Sequence, residues 1–498
     1  MSSPHGGLPA PISALEFGED PQIGFPTLKR VPRFSRAWWS YRVFWKLHFV
    51  NRVSLHTIVM GKLGRWLRRL GWIAPHKTFT HIDLSETARR WRDDDFFAVQ
   101  HTAHHNPEMI EACRALPDDV GARVTGQLPD LAGRLREGEV FVVDHQPTIG
   151  PFIDQVRPGR VMKASRAWFL RTPDSGRGSS FQPIAIEAAG TVTLPDQGER
   201  WQLARWNHQQ CNFLNAQIRY HLLLNHTVVE VFALSMYRRL EAGHALRTVL
   251  MPFVGSVPFV NNGFGKELIY GHLVRHYALS LEGVLGFSRA SLVGRAHAYF
   301  DFREDLERRG MRGQSGYAFG RVGEAWLDSQ DQHLAAILEA MYPTEEAFQA
   351  DVSARHWATE AIGQLGWVQT FPMQEWSRSM LMKLLSGIVM SSSFRHSIYH
   401  FKCHELLGLK ENAPFHLRAG GALPTMDEQQ ERQMVGCGLE YPNVLYDLGR
   451  WSPGHDSSLH PELSAAVERL YVDFHRMTAT LKAAEPDFAS LRVTTMSH

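Results

Sequence analysis

YHLLLNHTVVEVFALSMYRR, residues 220–239, is the stretch on which the reading of the chain turns. It is long, mostly apolar and free of Pro and Gly, so its pattern predicts a buried helix. Yet it carries His221 and His226, with His244 shortly beyond its end. A buried imidazole has two ring nitrogens to satisfy. Two of them on one buried helix either have private hydrogen bonds or share a ligand.

On a regular α-helix, residues five apart differ by about 140° around the axis, too far to share an ion. A π-helical turn, with about 4.4 residues per turn, returns i and i+5 to one face, and such turns are rare and gather at functional sites. A shared ligand therefore predicts a π-distortion near 221–226. A second histidine-bearing helix is predicted over 375–407 and contains SSSFRHSIYHFKCHELLG (391–408), with His396, His400 and His404 each four apart. That spacing, about 40° around the axis, lets two imidazoles reach one metal. Imidazole-rich ligation without thiolates points to non-haem iron, manganese, copper or zinc. H-x3-H also arises by chance in a chain with 26 histidines, so spacing alone leaves a shared metal and separate core histidines both open. His404 and Glu405 begin an H-E pair, but Gly408 stands where H-E-x-x-H needs its second histidine, which excludes that zinc-protease motif.

The chain has 498 residues, 44% of them hydrophobic and 21% charged, an ordinary globular composition with a large core. A formal net charge of +2 selects no polyanionic partner. Cys113, Cys211, Cys403 and Cys437 lie far apart, which argues for isolated reduced thiols and against a disulfide framework or structural zinc site. The first residues lack a basic region followed by an apolar run, and no apolar stretch reaches the roughly 18 residues of a membrane span. The expectation is a cytoplasmic protein with peripheral membrane contact.

That contact is expected through residues 29–72. Between Pro21 and Ile82 there are 12 Lys/Arg and no Asp or Glu, interleaved with Trp38, Trp39, Tyr41, Phe44, Trp45, Phe49, Trp66 and Trp72. Two helices are predicted there, near 36–52 and 54–70. Basic, aromatic, amphipathic helices suit an anionic membrane surface, with a plain docking helix as the alternative. No nucleic-acid module is recognisable, and nucleic acid is not an expected partner.

Residues 1–28 are rich in Pro and Gly and read as irregular. In RWRDDDFFAVQHTAHHNPEMIEACRALP (90–117) an acidic helical stretch breaks at Asn106-Pro107. GEVFVVDHQ (138–146) and FQPIAIEAA (181–189) read as strands of a small sheet. Helices are predicted over 200–250, 265–290, 320–342, 345–365, 374–408 and 459–482. The fold class is mainly α: a basic helical N-terminal region over 1–82, then a large helical catalytic domain with a small β element over 83–498.

The sequence resembles the lipoxygenases over nearly all of 83–498. YHLLLNHTVVEVFALSMYRRLEAGHALRTVLMP (220–252) is similar to the family's first metal helix, and FRHSIYHFKC (394–403) to its second. Weaker matches follow in the right order: WRDDDFFAVQ…NP…I…LP (91–117), FVVD (141–144), QPIAIE (182–187), WQLAR (201–205), EDLERRGM (304–311) and NAPFHLR (412–418). The resemblance implies His221, His226, His396 and His400 as ligands of iron, with manganese as the alternative metal. It leaves His244 and His404 as non-ligands, although Ala245 replaces the usual Pro. The family's last ligand is the C-terminal main-chain carboxylate, which maps to His498; the His498 imidazole is the alternative donor.

Other positions depart from the pattern. Gln217 matches a family glutamine that links the metal surroundings to the substrate cavity. Its usual polar partner is replaced by Cys403, which is expected to break that bridge. Leu222 and Leu268 are expected to line the substrate cleft. The position that governs oxygen access falls on Phe264, or on Gly265 with a one-residue slip. The basic tether for a fatty-acid carboxylate falls on Gly263 and is absent. The family's N-terminal β-barrel is replaced by the basic helical region, as in compact bacterial members whose extra helices lid the cleft.

The function the resemblance implies is dioxygenation of a polyunsaturated fatty acid. A hydrogen atom leaves a bis-allylic CH2, O2 adds, and a hydroperoxide forms. Two alternatives stand beside it. One is an oxidase or hydroperoxide-converting enzyme on the same fold, acting on another unsaturated or aromatic substrate. The other is a membrane-associated lipid-binding protein with a vestigial metal site.

Overall fold

The computed structural model describes residues 8–30, 66, 70, 72, 84–172, 180–262, 269, 272–292, 296–425, 461–485, 488, 491 and 493. Its strands, in chain order, are β1 (Phe17–Glu19), β2 (Pro26–Leu28), β3 (Glu111–Ala112), β4 (Val140–Asp144), β5 (Arg160–Val161), β6 (Ser165–Arg171), β7 (Phe181–Ala188), β8 (Thr191–Thr193) and β9 (Leu417–Arg418). The helices used below are α1 (Asp94–Thr102), α2 (Glu199–Leu214), α3 (Val228–Arg239), α4 (Ala245–Val254), α5 (Val257–Val260), α6 (Leu281–Leu292), α7 (Ala318–Met341), α8 (Val352–Leu365), α9 (Arg378–Met390), α10 (His396–His400), α11 (Cys403–Leu407) and α12 (Pro461–Ala484). Two π-helical segments interrupt the series, Asn215–Thr227 between α2 and α3, and Ser391–Arg395 between α9 and α10.

The first π segment lies where His221 and His226 demand it, and it is 13 residues long rather than a single turn. With α2 and α3 it makes one buried trunk around which the other helices pack. Helix α8 lies along α3, where Trp357 Nε1 donates to the Phe232 carbonyl at 3.1 Å. Helix α7 bridges α9 and α12, and Trp326 stacks on Phe474 at 4.5 Å and 14°. Close approach depends on two glycines. A Cβ on Gly323 would run into the Phe302 ring, and one on Gly387 into the Phe300 ring.

The sheet is five-stranded and antiparallel, in the order β3-β4-β6-β7-β8. Strands β4 and β7 lie inside the predicted β runs. Strand β6, SRAWFLR, has no counterpart among the predicted strands. It is buried on both faces, so it lacks the alternation that marks a half-buried strand. Helix α1 packs on the sheet, with Phe97 stacked on Phe169 at 6.0 Å.

Several boundaries differ from expectation for local reasons. Residues 17–28 are not irregular but form the β1–β2 hairpin. Asp20 Oδ1 accepts from the backbone N–H of Gln22 and Ile23, and Gly24 takes φ +71 in the turn. Leu15 and Leu28 are then buried with Leu234 and Phe259, which fixes residues 8–30 against α3. The helix predicted over 200–250 breaks after Arg239, and His244 caps α4 by accepting from Leu246 N–H. The 345–365 stretch divides at Asp351, whose carboxylate accepts from Ala354 N–H at 3.0 Å and starts α8. The 374–408 stretch breaks at Lys402, which adopts φ +53. Of 265–290, the described part is a 3-10 turn at His272–His276 followed by α6. The predicted helices at 36–52 and 54–70 lie outside the described residues apart from 66 and 70. Among the described residues no helix is long and apolar enough to cross a membrane.

Candidate metal centre

Inside the trunk the π segment presents His221 and His226 to one side, with ring centroids 5.1 Å apart. Helix α10 supplies His396 and His400 from the opposite wall, their rings 4.4 Å apart. His226 Nε2 lies 2.9 Å from His396 Nε2, and His400 Nε2 lies 3.0 Å from the same nitrogen. One nitrogen from each of the four rings falls within 4.8 Å of all the others. Among the described residues this is the one group of three or more His, Cys, Asp or Glu side chains gathered so closely.

Side-chain amides behind the rings set their tautomers. Gln217 donates its amide nitrogen to the Tyr399 carbonyl at 3.2 Å, so its Oε1 faces His221 Nδ1 at 2.9 Å. Asn261 donates its amide nitrogen to Glu230 Oε2 at 2.7 Å and to the His226 carbonyl at 3.1 Å, which turns its Oδ1 to His226 Nδ1 at 2.9 Å. An amide oxygen only accepts, so each Nδ1 carries the proton and each Nε2 keeps its lone pair facing inward. Burial pushes His226 down to about 3, aided by His400 and opposed by the Asn261 hydrogen bond. His226 is therefore neutral across the ordinary pH range, the form in which imidazole binds metals.

These residues fit a metal ion. Metal–nitrogen bonds of about 2.1 Å put adjacent donors about 3 Å apart and opposite donors about 4.2 Å apart. The observed 2.9 and 3.0 Å contacts match adjacent donors, and the 4.8 Å limit accommodates opposite ones. One proton on His396 Nε2 cannot serve two imidazole nitrogens well, whereas a cation between them satisfies all the lone pairs at once. A thiolate-free imidazole set suits a non-haem transition metal ion.

The other predicted positions divide. Cys403 does not break the link from Gln217: the Gln217 amide nitrogen reaches Cys403 Sγ at 3.6 Å as well as the Tyr399 carbonyl. A polarisable thiol on α11 accepts in place of the usual polar partner, and a main-chain oxygen supplies the shorter bond. Leu222 is buried in the same apolar cluster as Cys403. His244 stands apart from the centre, with its Nε2 3.2 Å from Asp351. Gly263, Phe264, Gly265, Leu268 and His498, and the side chain of His404, lie outside the described residues.

Three site residues escaped the sequence reading. Asn261 lies 35 positions from His226 and no spacing rule connects them. Tyr399 lies between two metal-facing histidines, and its ring stacks on His221 at 5.8 Å and 9°. Glu108 follows the Asn106-Pro107 break and is fully buried beneath the second π segment. A carboxylate flanked by Pro107, Met109 and Ile110 was the available signal.

No family model matches the chain. It is 25% identical over 361 residues to the human polyunsaturated fatty acid lipoxygenase ALOX15B, covering 68% of this chain and 52% of that protein. It is 23% identical over 350 residues to the mouse arachidonate 12-lipoxygenase, 12R-type, covering 66% of this chain and 49% of that one. The chain thus spans about half the length of the curated relatives it matches. Its fold is similar to the crystal structure of coral 8R-lipoxygenase, with a TM-score of 0.78 at 18% identity, covering 97% of this chain and 79% of that one. It is also similar to the manganese lipoxygenase of Gaeumannomyces graminis, with a TM-score of 0.77 at 17% identity, covering 94% and 90%. With its π-distorted trunk and facing histidine helices, the chain is similar to the lipoxygenases in sequence and shares their fold.

Proposed function

We propose that this chain is a non-haem metal dioxygenase. It would remove a hydrogen atom from a bis-allylic CH2 of a polyunsaturated fatty acid, add O2 and release a hydroperoxide. The observation that carries this reading is the convergence of four imidazoles on one point. The substrate class comes from the relatives, which are named for polyunsaturated fatty acids, and from a structure of similar fold that holds arachidonate.

Iron, or manganese on the same donors, supplies the one-electron chemistry that breaks a weak bis-allylic C–H bond. The chain's own residues hold the site for that chemistry. Gln217 and Asn261 lock the rings of His221 and His226, so the donors are arranged before the ion arrives. Neutral imidazoles would hold the ion through their nitrogen lone pairs without adding charge of their own. Leu222, next to His221 in the chain, is buried in one apolar cluster with Ile218 and Leu285. No acid–base side chain is called for, because the substrate proton leaves together with an electron.

Residues 29–72 are proposed to touch an anionic lipid surface. Trp66, Leu70 and Trp72 are exposed, and the surrounding sequence is basic without a single acid. Unchanged binding to anionic vesicles after deletion of 29–72 would remove that idea. The activity is tested with metal-loaded protein and linoleic or arachidonic acid. Oxygen uptake with conjugated-diene formation is expected, and His221→Ala should abolish both. Metal-loaded protein that consumes no oxygen with either acid overturns the reading.

A further inference from the structure

Behind the histidine centre lies a buried polar cluster that the reaction does not use. Its hub is Glu108. Oε1 of its carboxylate accepts from Arg395 Nε at 2.5 Å. Oε2 accepts the hydroxyls of Tyr399 and, at 2.7 Å, of Tyr299. Arg395 also donates to the Tyr299 carbonyl and lies 3.6 Å over the Tyr299 ring. Its other side faces Asp305 at 3.5 Å, which in turn pairs with Arg309 at 2.9 Å. All of these side chains are buried.

The partners of Glu108 are not scattered. Arg395 is the last residue of the second π segment and immediately precedes His396. Tyr399 immediately precedes His400, and its ring stacks on His221 of the opposite helix at 5.8 Å and 9°. Tyr220, next to His221, stacks on Tyr399 in turn at 6.2 Å and 8° and donates its hydroxyl to the Glu108 carbonyl at 3.4 Å. One side chain therefore fixes a neighbour of each histidine on α10 and, through a ring stack, the imidazole of a third.

We propose that Glu108 is a positioning residue for the histidine centre, acting through Arg395 and Tyr399 to set the orientation of His396, His400 and His221. This rests on the reading that those histidines share a metal ion. A buried carboxylate with three donors is rigid, because no rotamer that leaves them finds replacements in an apolar interior. Arg395 and Tyr399 inherit that rigidity. Side chains that orient metal ligands in this way typically change metal affinity by about 10–100-fold when removed.

The test uses the full chain with Co(II) as probe, read by its dissociation constant and its ligand-field spectrum, in the parent protein, Glu108→Gln, Glu108→Asp and Tyr399→Phe. Glu108→Gln should weaken Co(II) binding about 10–100-fold and shift the spectrum, and Glu108→Asp should recover part of both. Tyr399→Phe keeps the ring stack and removes only the hydroxyl; it should move both readouts in the same direction by less. If Glu108→Gln does not fold, Tyr399→Phe decides. Parent-like affinity and spectrum in the folded variants, with only thermal stability reduced, overturn the proposal. Co(II) binding by the parent that His396→Ala leaves intact fails the metal reading itself, and the positioning role with it.

Discussion

Asn261 Oδ1 accepts the Nδ1–H of His226 at 2.9 Å, and the nitrogen of the same amide donates to Glu230 Oε2 at 2.7 Å. The amide cannot turn over without placing its NH2 against an N–H and its oxygen against a carboxylate. Glu230 is held in its turn, because its Oε1 accepts from Leu28 N–H of β2 at 2.7 Å. The orientation of one imidazole is thus tied to the N-terminal hairpin through two side chains. Asn261→Leu frees the ring to flip and should weaken metal binding about 10–100-fold. Titration against a chromogenic chelator measures this, and parent-like affinity in the variant would show that Asn261 does not orient His226.

A second group of buried histidines governs acid stability. Burial holds His101, His145 and His208 well below the usual imidazole range, so all stay neutral in the fold. His101 is lowered further by His208, His105 and Arg205, His145 by His101 and Arg219, and His208 by His145. In the unfolded chain each takes up a proton near its ordinary pKa of about 6.5. Below that pH the unfolded state binds more protons, so this contribution is fully present above about 6.5 and is lost as the pH falls. Three protons at about 1.4 kcal/mol each per pH unit set an upper slope of about 4 kcal/mol per pH unit. Urea melts between neutral and mildly acidic pH should show the decline, and His101→Phe should lower the slope by about 1.4 kcal/mol per pH unit at most. A variant with the parent's slope contradicts the assignment.

The packing behind α10 depends on absent side chains. Gly387 on α9 lets the Phe300 ring sit against the helix backbone, where Phe300 also stacks on Phe232 at 5.5 Å. Gly323 on α7 does the same for Phe302 and borders Phe394 of the second π segment. Gly387→Ala and Gly323→Ala each force a buried aromatic to move and should cost about 1–3 kcal/mol, although alanine favours helix. Denaturation midpoints measure this. Stabilisation by either substitution would mean that these helices can slide apart freely.

The π-distortion between His221 and His226 was legible on the condition that they share a ligand, because a five-residue gap cannot face one point any other way, whereas the choice of His396 and His400 to join them came from the resemblance, since spacing alone left separate core histidines open. The strands at 140–144 and 181–188 and the helices at 318–341 and 461–484 carried clean patterns. Strand β6 did not, because a strand buried on both faces loses its alternation. The β1–β2 hairpin was hidden for a different reason. Its order comes from Leu15 and Leu28 packing on Leu234 and Phe259, far away in the chain. Cys403 misled because residue identity says little about a bond that a neighbouring main-chain carbonyl also makes. Asn261 and Glu108 were invisible because each acts on the histidines only after distant segments meet.

The central claim is that His221, His226, His396 and His400 hold one metal ion. Elemental analysis of the purified protein beside His226→Ala and His400→Ala tests it most directly, with folding of the variants checked by circular dichroism. The account predicts a single iron or manganese ion per chain in the parent and its loss from both variants. Variants that fold and keep the parent's full metal content would contradict it.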